Sequence, residues 1–458
     1  MTQVQVEAVG LSLELVHGEP TASAANKRLA ETEATHWLIV RDGSMAPAAT
    51  SAITRALGEL ADATLVYGDS FDHGRLRPFA PRPVFSPLRL RQHDYLGPVV
   101  ALSVAAVRDI GGFRDDADGT QILDLALRLD PATIVRIPVT LGTGAPIAVP
   151  ADEAAAERAT SLVRSHLAEI GVEAEVSETV AGRREVRYPV AGSPLVSIVI
   201  PTRGGSGVVA GRERTFVVEA VRGIIQRSTY PNLEFVVVAD DATPQHVVDE
   251  LEALAGERLR LVRWAAPFNF SAKMNRGALA ATGEYLLLLN DDIELVTHDW
   301  VEQMLGLAQQ PGVGMVGALL YFEDGTLQHA GHLYESGAAG HIGFGAVPGR
   351  PAVLDSYAVD REVSGVTAAC SLIASQTFRA VGGFSSHFPG NYNDVDLCFK
   401  IRGSGLSIVC SSRAHLYHFE SRTRDARIAP SELQAIHSRW FDRMQVDAYW
   451  RDPRNRGY

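Results

Sequence analysis

Two hydrophobic rhythms alternate through residues 194–290. "PLVSIVIPT" (194–202), "LEFVVVAD" (233–240), "LRLVRWAA" (259–266) and "EYLLLLN" (284–290) are short runs dominated by apolar residues, each of strand length. Between them, "RTFVVEAVRGIIQR" (214–227), "QHVVDELEALAG" (245–256) and "SAKMNRGALAATG" (271–283) space their apolar residues three and four apart, the period of a helix with one buried face. Pro231-Asn232 and Gly283 supply stops. Apolar strands alternating with such helices predict an α/β fold, a parallel sheet covered on both sides. Sheets of this kind bind ligands at the C-terminal ends of their strands. Here those ends read Thr202-Arg203, Asp240-Asp241 and Asn290-Asp291-Asp292, so three polar clusters are expected on one rim. "RGGSGVVAG" (203–211) is read as a Gly-rich loop beside them, without the GxGxxG spacing of a dinucleotide site.

The acids after the leucine run have a plain explanation. Asp and Asn end strands and start helices, and Thr297 is placed to cap the helix that begins near Trp300. An internal repeat makes that explanation incomplete. "NKRLAETEATHWLIVRDGS" (26–44) aligns without gaps to "NRGALAATGEYLLLLNDDI" (275–293), setting Asn26 on Asn275, Arg41 on Asn290, Asp42 on Asp291 and Gly43 on Asp292. "RDIGGFRDDADGTQILDLALRL" (108–129) matches "RAVGGFSSHFPGNYNDVDLCFKI" (379–401) with one gap, setting Asp124 on Asp396 and Ile122 on Asp394. A copy that folds with glycine and isoleucine at these places has no structural need for acids there. Asp292 and Asp394 are therefore read as chemical, and the first copy as a degenerate partner.

Four segments follow: a first domain at 1–150, a packed connector at 151–193, a catalytic domain at 194–425 and a helical tail at 426–458. The connector contains an Ala-rich amphipathic helix (151–171) and two short strands (173–180 and 184–190). A chain of 458 residues is expected to hold two or three domains in any case. Its net charge of -12 leaves no basic face for nucleic acid, so none is expected as a partner. Cys370, Cys398 and Cys410 are few, odd in number and free of CxxC spacing, and read as reduced thiols used in packing. "MTQVQVEAVG" lacks a basic segment followed by an apolar run, so no signal peptide is expected. No apolar stretch approaches the ~20 residues of a membrane span. A cytoplasmic location is expected, with attachment at the inner face of the membrane and self-association left open.

Asp-rich residues at a strand end suit a hard divalent cation that bridges phosphates, with one or two carboxylates completed by diphosphate oxygens and water. Asp394 and Asp396 in "YNDVDLCFK" (392–400) stand two apart, so one can face a pocket while the other faces elsewhere. A carboxylate near a dication suits a general base. His418 in "HLYHFES" (415–421) comes late enough in the chain to complete a metal shell.

Taken in order, "VSIVIPTR", "VVVADDAT", "ATGEYLLLLNDDIE" and "YNDVDLCFK…HFES" resemble a family 2 glycosyltransferase of the GT-A fold. "GTLQHAGHL", "VTAACSLI" and "VGGF" resemble more narrowly the bacterial enzymes of rhamnan and O-antigen-type polysaccharide synthesis, in which a partial N-terminal copy precedes the complete one. The resemblance implies a mixed, mainly parallel GT-A sheet after a degenerate GT-A-like domain. It implies an inverting transferase that takes a sugar from a UDP-, dTDP- or GDP-sugar to a glycan or lipid-linked acceptor, with Mg²⁺ or Mn²⁺. Carried over by residue, Thr202 and Asp240 hold the nucleotide base, Lys273 and Asn275 lie near the nucleotide, and Asp291 faces the ribose. Asp292 and His418 bind the metal, Asp394 is the base, and Asp396 is assigned to the acceptor. Asn290 stands at the first acid of D-x-D, and Asn393 where the family often has Glu. Two other readings compete: a nucleotidyltransferase, which would want a Gly-rich, basic triphosphate signature, and a non-catalytic glycan-binding scaffold.

Overall fold

A computed structural model describes residues 3–5, 10–71, 79–144, 152–179, 182–349, 357–419 and 428–450. The chain divides into two compact units, one of residues 1–187, 352–359 and 448–458, the other of 188–351 and 360–447. Helix Glu153–Glu169 and the antiparallel pair Glu175–Glu178/Arg184–Arg187, expected to connect two domains, belong to the first unit. Helix Pro430–Trp440 belongs to the second, and the chain rejoins the first unit at Ala448. No helix among the described residues is long and apolar enough to cross a membrane.

The second unit is built on a mixed sheet. Its strands run Leu259–Trp264, Leu233–Asp240, Val196–Thr202, Tyr285–Leu289, Cys370–Ala374, Val313–Tyr321, Ser407–His418 and Ile293–Leu295 from edge to edge. The first four are mutually parallel, as the apolar runs predict. Cys370–Ala374 then enters antiparallel to both of its neighbours. Residues 286–289 are 1% exposed or less, because this strand is covered on both faces. Helices Phe216–Arg227, Gln245–Ala255 and Phe270–Ala280 bury their apolar stripes against the sheet, and the last is capped by Asn269. The Gly-rich stretch at 203–211 contributes to a hairpin, Ser206–Val209 against Arg212–Thr215.

The first unit repeats six of these strands. Ser12–His17, His36–Val40, Val99–Ser103, Leu65–Phe71, Ile134–Thr143 and Ser44–Met45 stand side by side in that order. Their parallel and antiparallel senses match those of Val196–Thr202, Tyr285–Leu289, Cys370–Ala374, Val313–Tyr321, Ser407–His418 and Ile293–Leu295 one for one. Among its described residues the first unit has no counterpart of the pair Leu233–Asp240 and Leu259–Trp264; the antiparallel strand Gln3–Gln5 stands beside Ser12–His17 instead. The sequence alignment and the sheet agree to the residue, since His36–Val40 lies on Tyr285–Leu289 with no shift.

A shared clamp locks each copy. Asn26 Nδ2 donates to the Phe113 carbonyl at 2.8 Å and its Oδ1 accepts the Phe113 N–H at 2.9 Å. Asn275 makes the same two bonds to Phe384, at 2.8 and 2.9 Å. Gly112 (φ +79°) and Gly383 (φ +59°) turn beneath these amides, where a Cβ would lie 2.5 and 2.6 Å from the asparagine oxygen. Arg128 and Lys400 then donate to the Gly112 and Gly383 carbonyls, each paired with an aspartate one turn earlier, Asp124 or Asp396.

Two expectations are corrected here. Asn275 was assigned to the nucleotide, but both ends of its amide are used by the Phe384 backbone, as in the first copy. Thr297 does not cap the following helix: its hydroxyl accepts the His415 N–H at 3.0 Å, and helix Trp300–Ala308 starts from Asp299 with no side-chain cap bond.

Candidate active site

Thr202 ends its strand, and its hydroxyl donates to Asp291 Oδ2 at 2.6 Å while accepting the Gly204 N–H at 2.9 Å. Lys273, buried in helix Phe270–Ala280, donates to Asp240 Oδ1 at 2.6 Å and to the Thr202 carbonyl at 3.0 Å. Four of the residues expected on the donor side, Thr202, Asp240, Lys273 and Asp291, thus form one hydrogen-bonded network at the strand ends. Burial, together with the charge of neighbouring Asp292, pushes the Asp291 carboxyl up to about 7, against the pull of Thr202 and Lys273. Two adjacent buried carboxylates are costly without a cation close by.

Asp292 Oδ1 lies 3.2 Å from His418 Nε2, and Asn290 Nδ2 lies 3.0 Å from the same nitrogen. Antiparallel pairing of Ile293 with His418 fixes this meeting. On the other side of the ring, His418 Nδ1 is 2.7 Å from Gln328 Oε1, and Gln328 Nε2 donates to the His418 carbonyl at 3.3 Å. That second bond sets which end of the amide faces the ring, so Nδ1 carries the hydrogen and Nε2 is an acceptor that takes the Asn290 amide N–H beside Asp292 Oδ1. An imidazole nitrogen without a hydrogen beside a carboxylate oxygen would suit a divalent cation taking the place of that N–H. No three His, Cys, Asp or Glu among the described residues could hold a metal by themselves, so the remaining ligands would be diphosphate oxygens and water. Gln328 was missed as a functional residue, although it sits inside "GTLQHAGHL".

Asp394 is in the first turn of helix Asn393–Gly403, behind Tyr392 in the left-handed region (φ 58°). Its Oδ1 accepts the Val395 N–H at 2.8 Å and its Oδ2 the Ala368 N–H at 3.3 Å. The next residue, Ala369, accepts the Asn290 N–H at 3.0 Å, so two consecutive alanines tie the base candidate to the aspartate cluster. Asp396 is corrected. It is fully buried, accepts from Arg439 at 2.8 Å and Trp440 at 2.9 Å, and lies 3.5 Å from Lys400, which gives it a structural role. Asp124, its counterpart, is likewise buried against a basic residue.

In the first unit the same positions carry different chemistry. Ser44 pairs with Thr143 as Ile293 pairs with His418, so Thr143 stands where the histidine does. Gly43 replaces Asp292, and fully buried Ile122 replaces Asp394. Arg41, at the Asn290 position, is held by Glu19 and Asp94, each at 2.5 Å. Of the aspartate cluster Asn290-Asp291-Asp292, Asp394 and His418, the first copy retains Asp291 alone, as Asp42.

Residues 197–374 match the family model "Glycosyl transferase family 2". That stretch of the second unit carries a family 2 glycosyltransferase domain. Thr202, Asp240, Lys273 and Asp292 lie inside the matched stretch, and Asp394 and His418 follow it. The chain is 34% identical over 367 residues to the O-antigen biosynthesis protein RfbC of Myxococcus xanthus, across 78% of the chain and 28% of that protein. It is 32% identical over 430 residues to the uncharacterized protein y4gI of Sinorhizobium fredii, across 89% of the chain and 46% of that protein. It therefore spans less than half the length of these curated relatives. Among solved structures, GalNAc-T7 with UDP, GalNAc and Mn²⁺ aligns with a TM-score of 0.43 at 13% identity, over 57% of this chain and 50% of that one. The Pyrobaculum calidifontis mannosyltransferase PcManGT, in complex with GDP-Man and Mn²⁺, aligns with a TM-score of 0.38 at 17% identity, over 55% and 71%. At these scores the two alignments add nothing to the topology described above.

Proposed function

We propose that the glycosyltransferase domain moves a sugar, with inversion, from a nucleotide-diphosphate sugar to a hydroxyl of a glycan or lipid-linked acceptor during assembly of an O-antigen-like polysaccharide. Thr202, Asp240, Lys273 and Asp291 bind the nucleoside side of the donor. Asp292 and His418 would hold Mg²⁺ or Mn²⁺, which would offset the charge of the departing diphosphate. Asp394 accepts the acceptor's hydroxyl proton as that oxygen bonds to the anomeric carbon and the bond to diphosphate breaks. The first unit supports the chain or binds glycan without catalysing transfer. One observation carries the reading: on two sheets that share the order of six strands, only the second has Asp292, His418 and Asp394, against Gly43, Thr143 and Ile122.

The test starts from a calorimetric screen of UDP-, dTDP- and GDP-sugars with Mn²⁺. Asp394→Ala is expected to lower turnover of the donor so found by roughly 10²–10⁴-fold while Mn²⁺-dependent nucleotide binding survives. Asp292→Ala is expected to lose both. Wild-type turnover in Asp394→Ala would remove the base assignment.

A further inference from the structure

"GTLQHAGHLY" (325–334) places Gln328 on His418; it also brings His332 to Asp394. His332 and Tyr334 are two apart on strand His332–Glu335 and project to the same face. Tyr334 Oη is 3.0 Å from His332 Nδ1, and His332 Nε2 is 3.8 Å from Asp394 Oδ2. Both side chains are buried, at 2% and 1% exposure. Tyr334 stacks on Phe399, on the helix that carries Asp394, with centroids 4.8 Å apart and 28° between planes. Gly365 leaves room for the pair: a Cβ there would lie 2.6 Å from His332 Nδ1 and 2.7 Å from Tyr334 Oη.

Burial holds His332 down to about 4, against the pull of Asp394, so the ring is neutral near pH 7. The hydrogen on that neutral ring has a determined place. The Tyr334 hydroxyl has His332 as its hydrogen-bond partner among the described residues, and a buried O–H spends its proton on the acceptor within reach. It therefore donates to Nδ1, which leaves the ring hydrogen on Nε2, facing the carboxylate. His329 does not compete for that nitrogen: it accepts the Thr367 N–H at Nε2 and is joined to His341 through Nδ1.

We propose that Tyr334 and His332 are positioning residues for Asp394, the phenol fixing the imidazole so that its Nε2–H holds the carboxylate toward the acceptor. At 3.8 Å the contact is charge–dipole rather than a hydrogen bond. The inference rests on Asp394 as the base, and the test separates the two. In the full chain with ¹⁵N-labelled histidine, the His332 signals, assigned by their loss in His332→Gln, are expected to report a neutral ring protonated at Nε2. Release of nucleoside diphosphate to water is then followed with Mn²⁺ and whichever UDP-, dTDP- or GDP-sugar the screen selects. His332→Phe keeps a ring but no N–H, and is expected to lower turnover at saturating donor at least tenfold with donor KM within twofold of wild type. His332→Gln, which can offer an N–H, is expected to recover several-fold of that loss. Tyr334→Phe, which keeps the stack, is expected to weaken the Nε2–H preference and lower turnover, and serves if His332→Phe does not fold. A ring protonated at Nδ1, or wild-type turnover in His332→Phe, overturns the proposal. Wild-type turnover in Asp394→Asn overturns the base reading instead.

Discussion

Asp394 and Asp396 stand two residues apart on one helix and do unrelated work. The first is held by two backbone N–H groups near the aspartate cluster; the second is sealed beneath Arg439 and Trp440. The repeat separates them, because Asp124 keeps the buried role while Ile122 abandons the chemical one. Asp396→Ala is accordingly expected to cost roughly 2–3 kcal/mol in urea unfolding, the scale of lost hydrogen bonds to a charged group, with nucleotide affinity little changed in the folded fraction. Asp124→Ala should cost a comparable amount in the first unit. Gly43→Asp tests the degenerate copy. Gly43 has φ +68°, and a Cβ there would meet the Thr143 carbonyl oxygen at 1.9 Å. Metal binding is not expected to appear; a lowered thermal midpoint of the first unit is, and a new Mn²⁺ site seen by calorimetry would contradict this account. Asp396 was misjudged from sequence because its deciding partner, Arg439, lies 43 residues downstream.

At the level of elements, the parallel half of the glycosyltransferase sheet was legible because each of its strands is a compact apolar run that needs no partner to be recognised. Val196–Thr202, Leu233–Asp240, Leu259–Trp264 and Tyr285–Leu289 all fall within the runs that predicted them. The antiparallel half was not, since nothing local tells Cys370–Ala374 to enter between Tyr285–Leu289 and Val313–Tyr321. Nor did composition show that 203–211 would contribute to a hairpin, where Val209 packs against Phe216 and Phe419. The site followed the same division. Residues at the ends of legible strands were placed together, whereas Gln328 and His332 sit on short local hairpin strands and meet their site partners, His418 and Asp394, only through contacts distant in the sequence.

The whole molecule carries several histidines that folding keeps neutral. Burial lowers His332 to about 4 and His93 and His329 well below their ordinary 6.5, and it lowers the less enclosed His166 as well. Between about 4 and 6.5 the unfolded chain binds more protons at these sites than the folded one, so stability falls as pH drops through that window. Burial lowers His36 too, and Asp291, raised to about 7, acts in the opposite direction, one group against five. Unfolding free energies from urea titration are expected to fall between pH 7.5 and pH 5, by about 1 kcal/mol or more for each fully enclosed ring, with the midpoints falling in step. Equal midpoints would show that these rings are not neutral and enclosed. The two sheets have a kinetic consequence as well. A chain holding two sheets with the same strand order can pair a strand of one copy with the neighbours meant for the other while it is still unfolded. Copies that differ in their edge strands limit that error: antiparallel Gln3–Gln5 beside Ser12–His17 cannot stand in for parallel Leu233–Asp240 beside Val196–Thr202. The short edge of the first unit is thus expected to act as a sorting mark during folding, so that a chain given two like edges loses refolding yield before its urea midpoint moves.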